Sequence, residues 1–582
     1  MKKALLYSIF ALSIASTTLT SCEDIFGGFL DKQPSNELTG EQVFSDWNLT
    51  VQFHLDTYNF LRHGAGRIST TWLDAATDLA ETSYGNGVRT SFNIGNFYGG
   101  SGASELVDTW EHYYRGIRKC NMLLTRIEEV PQNPADSEDK YNRDKKNYIA
   151  EARFLRAYFY WELFLRYGPI PIVTEVLDPD GDLMSKYTIR PTTKEYVVDF
   201  ILEELKSCED DLLDYKTAWT SSSAGRIGQP MACALRSRIM LFMASPRYSS
   251  ESGITWQQAA NVAKEFIDNY GTNFALFNDK DATGATLGIE NYTNALLRTA
   301  YQGSNKEVIF YRNDDKQNWG NIKNDTPVGE GGNGGLCPSQ NLVDAFPMSN
   351  GYPINDVTAS GYDANNPYAG RDPRLGKYIF YNGSTISEKS ITININEGNQ
   401  DGVNVTENRS TRTGYYMRKR LRMDVNCNPA SISKQPHYTP RIRYTEMYLI
   451  YAEAANEAWG PKNANGKGFS AYDIIKAIRK RAGVGGADDA YLEACAASKE
   501  QMRELIRNER RLELCFEGFR FWDLRRWKAN LNESVYGINW SGNSYQKITV
   551  EERSYEDYMY CCPIPNSEIL KYSNLIQNRG WK

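Results

Sequence analysis

Glu151-Ala152-Arg153-Phe154-Leu155-Arg156-Ala157-Tyr158-Phe159-Tyr160-Trp161-Glu162-Leu163-Phe164-Leu165-Arg166-Tyr167 runs directly into Gly168-Pro169-Ile170-Pro171, and this junction decides the fold class. Across residues 145–167, Leu155, Tyr158, Phe159, Leu163 and Arg166 recur at three- and four-residue steps, which places them along one side of an α-helix. Gly168 provides the exit from that helix, and Pro169 cannot extend it. Working outward, the same periodicity predicts helices at about 193–213, 230–244 (closed by Ser245-Pro246) and 256–269, and again at 440–459, 470–482 and 499–516.

Three of these helices share small residues set between bulky ones: Glu151–Ala157, Met231–Ser237 and Leu449–Ala455. That alternation lets neighbouring helices approach closely, as in tetratricopeptide pairs, although no regular 34-residue period is present. The expected fold is mainly α: a tetratricopeptide-like helical-pair scaffold with a large, irregular, loop-rich insertion carrying a few short strands. The insertion covers about 271–439 and is dense in Gly, Asn, Asp and aromatic residues. Its run Gly329-Glu330-Gly331-Gly332-Asn333-Gly334-Gly335 lacks the Lys-Ser/Thr of a phosphate loop, so nucleotide binding is not expected. Ile391-Thr392-Ile393-Asn394-Ile395 alternates like a short strand. A second Gly- and aromatic-rich patch lies at 84–102.

The N-terminus reads as a signal peptide over 1–21: Lys2 and Lys3, an apolar run from Ala4 to about Leu12, then small and hydroxylated residues. Leu19-Thr20-Ser21-Cys22 resembles a bacterial lipobox, which implies acylation of Cys22 and a lipidated tether over 22–45. Glu23 and Asp24 resemble the acidic signal that sends Bacteroidetes lipoproteins to the cell exterior. Removing residues 1–21 removes two positive charges and no acid, taking the formal net charge from −6 to −8. A mildly acidic surface argues against a nucleic-acid partner. No later apolar run approaches the roughly 20 residues of a spanning helix.

Thirty-eight Tyr, 23 Phe and 12 Trp make aromatics 13% of the chain, enough to serve core, interfaces and flat ligand platforms alike. Nine cysteines remain besides Cys22, without CxxC pairing, and only four His exist, none clustered. Neither a disulfide framework nor a metal site is expected, and no cofactor is indicated.

Several blocks then carry a specific resemblance. Arg156-Ala157…Tyr160…Leu163…Gly168…Pro171 matches the signature of SusD/RagB-like outer-membrane lipoproteins. Further blocks follow in family order: Arg371–Leu375, Arg443–Leu449, Ile478–Gly483, Arg507–Glu513, Gly518–Trp527, Pro563-Ile564-Pro565 and Leu575–Trp581. The resemblance spans Cys22 to Lys582. It implies a surface-exposed, lipid-anchored, glycan-binding protein at the outer membrane that delivers oligosaccharide or polysaccharide to a SusC-like TonB-dependent transporter, with an N-terminal helical region at 46–270 and a C-terminal region at 440–582. An oligopeptide-binding RagB-type role, or a scaffold binding only the transporter, are the alternatives.

Arg507, Glu509, Arg510, Glu513 and Arg525 are spaced for salt bridges on helices rather than for catalysis. Asp74 and Asp78 would share a face only if 72–82 were helical, and no barrel or sandwich pattern presents them as a glycosidase pair, so no enzyme is expected. Family members place ligand residues after the first helix and in the large insertion. Carried onto this chain, that implies Asp78, Tyr84, Asn96, Phe97 and Tyr98 from the first region and Tyr311 and Trp319 from the second, with Trp319 in the polar loop Lys316–Asn321.

Overall fold

The computed structural model describes residues 40–581 apart from 63–65, 69–70, 86–87, 98–105, 107–108, 179–180, 182–188, 216–224, 278–305, 312–322, 387–390, 423–429, 433–439 and 573. Cys22, Tyr98 and Trp319 therefore lie outside the described residues.

The protein is mainly α, with a tetratricopeptide-like helical scaffold. Its principal helices are α1 (Trp47–Asp56), α2 (Trp110–Arg126), α3 (Glu138–Tyr167), α4 (Glu203–Cys208), α5 (Gln229–Ala244), α6 (Trp256–Tyr270), α7 (Tyr444–Trp459), α8 (Ala471–Ala482), α9 (Lys499–Glu513) and α10 (Arg520–Arg526). They pack as neighbours: α2 on α3, α5 on α6, α6 on α7, and α7 on both α8 and α9.

Helix α3 begins where Ser137 accepts a hydrogen bond from the Lys140 amide at 3.3 Å and ends at Gly168, whose φ of +70° suits glycine. From Ala150 to Tyr167 nearly every residue is buried, so this part of α3 is enclosed on all sides. Local chemistry fixes other ends too: Thr255/Gln258 and Ser470/Asp473 form capping boxes at α6 and α8, and Gly483 closes α8 in the left-handed conformation. The helix expected at 193–213 opens as a π-helical segment, Lys194–Leu202, before α4. The segment expected to be helical from 440 begins as a strand.

Strands are short: β1 (Ala80–Thr82), β2 (Val308–Tyr311), β3 (Leu336–Pro338), β4 (Pro440–Arg443), β5 (Val535–Ser541) and β6 (Ser544–Glu551). Six two-stranded antiparallel pairs form among the described residues, the longest of them β1 with β3, β2 with β4, and the hairpin β5–β6. Of the stretch Ile391–Ile395, Ile391 pairs with Ile386 and Thr392 with Thr385, while Ile393 and Ile395 turn into a core.

One hydrophobic core runs from Leu61 to Trp581 and draws on all of α2 to α8. A second gathers Trp72, Leu79 and Ala80 with Leu336–Leu421 and with Leu512, Phe516 and Trp540. Both cores cross the sequence boundaries near 270 and 440. Glu509, Arg510 and Glu513 of α9 bind between elements, while Arg507 pairs with Glu504 of its own helix at 3.4 Å. Glu509 forms an ion pair with Arg374 at 3.0 Å and accepts from Arg479 at 2.8 Å, and Arg510 from α9 reaches Asp523 of α10 at 2.7 Å. Arg443 joins Glu307 at 2.9 Å and Arg526 joins Glu453 at 2.6 Å. Buried charges this deep need partners, and each is clamped by one.

Candidate functional site

The β1–β3 pair delivers a loop to the surface. Registered as Ala80↔Pro338, Glu81↔Cys337 and Thr82↔Leu336, it continues with the Ser83 amide donating to Gly335 O at 2.8 Å and the Ser83 hydroxyl to Asn333 O at 3.0 Å. Tyr84 comes next, half-buried, its hydroxyl 3.4 Å from Asn324 O. Partial burial and the nearby Asp325 carboxylate push its hydroxyl up to about 12, so at neutral pH it is an uncharged hydrogen-bonding group.

The glycine run explains how the second wall forms. Gly331, Gly334 and Gly335 have positive φ, and a Cβ on Gly334 would lie 1.8 Å from Arg409 O. The loop folds on itself through Asn333 N to Lys323 O and Gly334 N to Thr326 O, and Asn333 donates its amide to Asn324 Oδ1 at 3.2 Å. The third wall is 404–412, where Asn404 and Asn408 adopt left-handed conformations tolerated by asparagine. Asn408 Oδ1 accepts from the Gly85 amide at 2.7 Å, tying the third wall to the first.

Together these segments enclose an open cleft of about 840 Å³, lined by Tyr84, Asn324, Asn333, Asn404, Asn408 and Arg412 along with Ser83, Thr406, Glu407 and Ser410. Each asparagine amide offers both donor and acceptor, the pairing that vicinal hydroxyls require, and Tyr84 supplies a ring for an apolar face. Glu407 is the only carboxylate among the described lining residues. A groove of about 330 Å³ beside α2 is mainly apolar and lacks this amide array.

Of the expected contact residues, Tyr84 lines the cleft. Asp78 does not: it is buried and held by Arg520 through two hydrogen bonds of 2.9 Å and by Arg511 at 2.9 Å, so its carboxyl lies well below the usual carboxylate range. Phe97 packs in the core, edge-on to Phe92 and Trp581. Tyr311 is a buried residue of β2 opposite Pro440. Asn96 is exposed, outside the cleft lining, with its backbone amide on Ser91 O. Residues 72–82 are not helical. A 3₁₀ turn, Leu73–Ala76, precedes β1, so Asp74 and Asp78 share no helix face.

Asp74 is enclosed, accepts from the Gly518 amide at 3.1 Å, and is pushed up to about 7 by burial. Sequence reading missed the asparagines at 324, 333, 404 and 408; the available signal was Asn repeated inside Gly-rich loops.

The ligand atoms of Glu209, Cys233 and Glu265 come within 4.8 Å of one another, but Arg236 already pairs with both carboxylates, at 2.5 and 3.4 Å. The eight described cysteines are all unpaired.

Residues 297–581 match the model of the SusD family, and residues 28–241 match a second model described as starch-binding associating with outer membrane. SusD-like protein P25 of Formosa agariphila is 23% identical over 540 residues, covering 87% of each chain. A SusD-like protein of Bacteroides fragilis superimposes with a TM-score of 0.74 at 26% identity, over 94% of this chain and 100% of that one. A SusD-like carbohydrate binding protein of the same species gives a TM-score of 0.71 at 22% identity, over 92% of this chain and 100% of that one. With two family models spanning both cores and the same helical scaffold throughout, the chain belongs to the SusD/RagB-like family.

Proposed function

We propose that this protein is a glycan-binding lipoprotein, anchored through Cys22 and exposed at the cell surface, that captures oligosaccharide or polysaccharide and passes it to a SusC-like TonB-dependent transporter. The observation that carries the binding step is the cleft of asparagine amides and hydroxyls around Tyr84. Such walls exchange hydrogen bonds with sugar hydroxyls, while the aromatic ring stacks on CH faces. Trp319 and Tyr98 are proposed as further aromatic contacts. The protein acts by binding rather than hydrolysis, since a glycosidase requires two carboxylates about the scissile bond and Glu407 stands alone among the described lining residues. The outer-membrane association in the second family description supports the location, and no described helix is long and apolar enough to cross a membrane.

Affinity electrophoresis and calorimetric titration against a glycan panel test this reading. Binding should be weakened by Tyr84→Ala and Asn333→Ala, with no new reducing ends released. Saturable binding of oligopeptides, with none of glycans, would replace it with the RagB-type role.

A further inference from the structure

We propose that Arg412 reads a negative charge on the ligand, so that the cleft selects an acidic glycan, one bearing a uronate carboxylate or a sulfate ester; this rests on the glycan-binding reading above. Arg412 is half-buried in the cleft wall, and its guanidinium has no hydrogen bond, ion pair or ring contact with any described residue. Five interior arginines behave differently, whereas others such as Arg371 and Arg525 bond to backbone carbonyls. Arg156, Arg374, Arg443, Arg479 and Arg526 are each clamped to a carboxylate within 3.0 Å. Arg412 thus carries a charge, partly withdrawn from water, with no carboxylate paired to it among the described residues.

The backbone that carries the charge is held in place. Thr411 and Thr413 on either side are fully buried, and the Thr411 hydroxyl takes the amides of Thr413, Gly414 and Tyr415 at 3.1–3.2 Å. Gly414, with φ +80°, lies so close to Ile538 O that a Cβ would sit 2.2 Å from it. A guanidinium presented from so fixed a backbone has its donors available for a two-pronged contact with a planar carboxylate or with two sulfate oxygens. Glu407 lines the same cleft, but it is exposed and makes no ion pair with Arg412. Its field is screened by solvent while that of Arg412 is screened less. The whole chain carries a net charge of −6, which disfavours indiscriminate polyanion binding and leaves selection to this local cation.

The test titrates the full-length protein with matched glycans: polygalacturonate and its methyl ester, and a sulfated galactan and its desulfated form. One acidic member should bind, and masking its charge should weaken binding roughly 10- to 100-fold, the effect of losing a charge-assisted hydrogen bond. Arg412→Gln should reproduce that loss on the acidic member only, with an unchanged melting temperature, and Arg412→Lys should fall between. The uronate and sulfate arms identify which anion is read. If a neutral glycan binds, Tyr84→Ala weakens it and Arg412→Gln does not, the acidic preference is overturned while the cleft stands. Glycan binding indifferent to both Tyr84→Ala and Arg412→Gln would overturn the cleft itself, and absence of any glycan binding would overturn both.

Discussion

Replacing Asp78 by Asn tests whether this carboxylate is part of the scaffold or part of the site. In the folded protein it faces Arg511 and Arg520, with three contacts of 2.9 Å and almost no exposure. Asn keeps the shape and removes the charge, leaving two guanidiniums in a buried position without their counter-ion. Breaking such a pair from one side costs about 3–5 kcal/mol. Unfolding entropy near 2.1 cal/mol/K per residue gives on the order of 1.2 kcal/mol/K for a chain of 582 residues. Asp78→Asn should therefore lower the melting temperature by about 2–4 °C if the chain melts as one unit. Because the folded pKa of Asp78 is depressed, its contribution is present above the unfolded value of about 3.9 and lost as pH falls through the folded value. The loss should thus be constant from pH 6 to 8. Scanning calorimetry in that range, with calorimetric glycan titration alongside, reads both quantities. A melting temperature equal to wild type with binding abolished would refute the scaffold assignment and return Asp78 to the ligand.

Asp74→Asn should act in the opposite direction. The folded pKa near 7 lies above the unfolded value of about 3.9, so the fold loses stability as pH rises between the two and regains none above 7; the variant should melt higher than wild type at pH 8, with the difference shrinking towards pH 5 in a calorimetric pH series. Gly334→Ala should disrupt the cleft, since its Cβ would collide with Arg409 O; reduced glycan affinity and a stability loss of at least 1 kcal/mol in urea unfolding are expected. Cys22→Ala should abolish palmitate labelling and release the protein from the membrane fraction.

The helices were legible because their information is local. Periodicity at three and four residues, Gly168 after Tyr167, and Ser470 and Asp473 at the start of α8 all act within a few positions. Tyr311 was misplaced for the opposite reason. Its burial depends on β4, whose Pro440 lies more than a hundred residues away in sequence, and nothing near position 311 announces that pairing. The same distance hides the cleft, which joins Gly85 to Asn408 and Ser83 to Asn333. Phe97 and Tyr84 look alike as aromatics in one Gly-rich stretch. They part only because Trp581, at the far end of the chain, covers Phe97. The charged pattern of α9 was legible as structural, but its partners were not: Arg374 and Arg479 reach Glu509 from other elements instead of from the same helix.

Trp581 also bears on the order in which this protein can be completed. Its ring stands edge-on to Phe97 and Tyr558, and its indole N–H donates to Cys561 O at 2.9 Å. Trp581 thus lies against a residue more than four hundred positions before it in sequence. During synthesis, the segment around Phe97 waits with apolar surface open until the codon for Trp581 has been translated. A ribosome that stops ten residues before Trp581 would release a chain whose scaffold helices α1 to α10 are all present but whose core has one open side. Synthesis through Trp581 is thereby converted into a difference in exposed apolar surface, the quantity that chaperones and proteases sense.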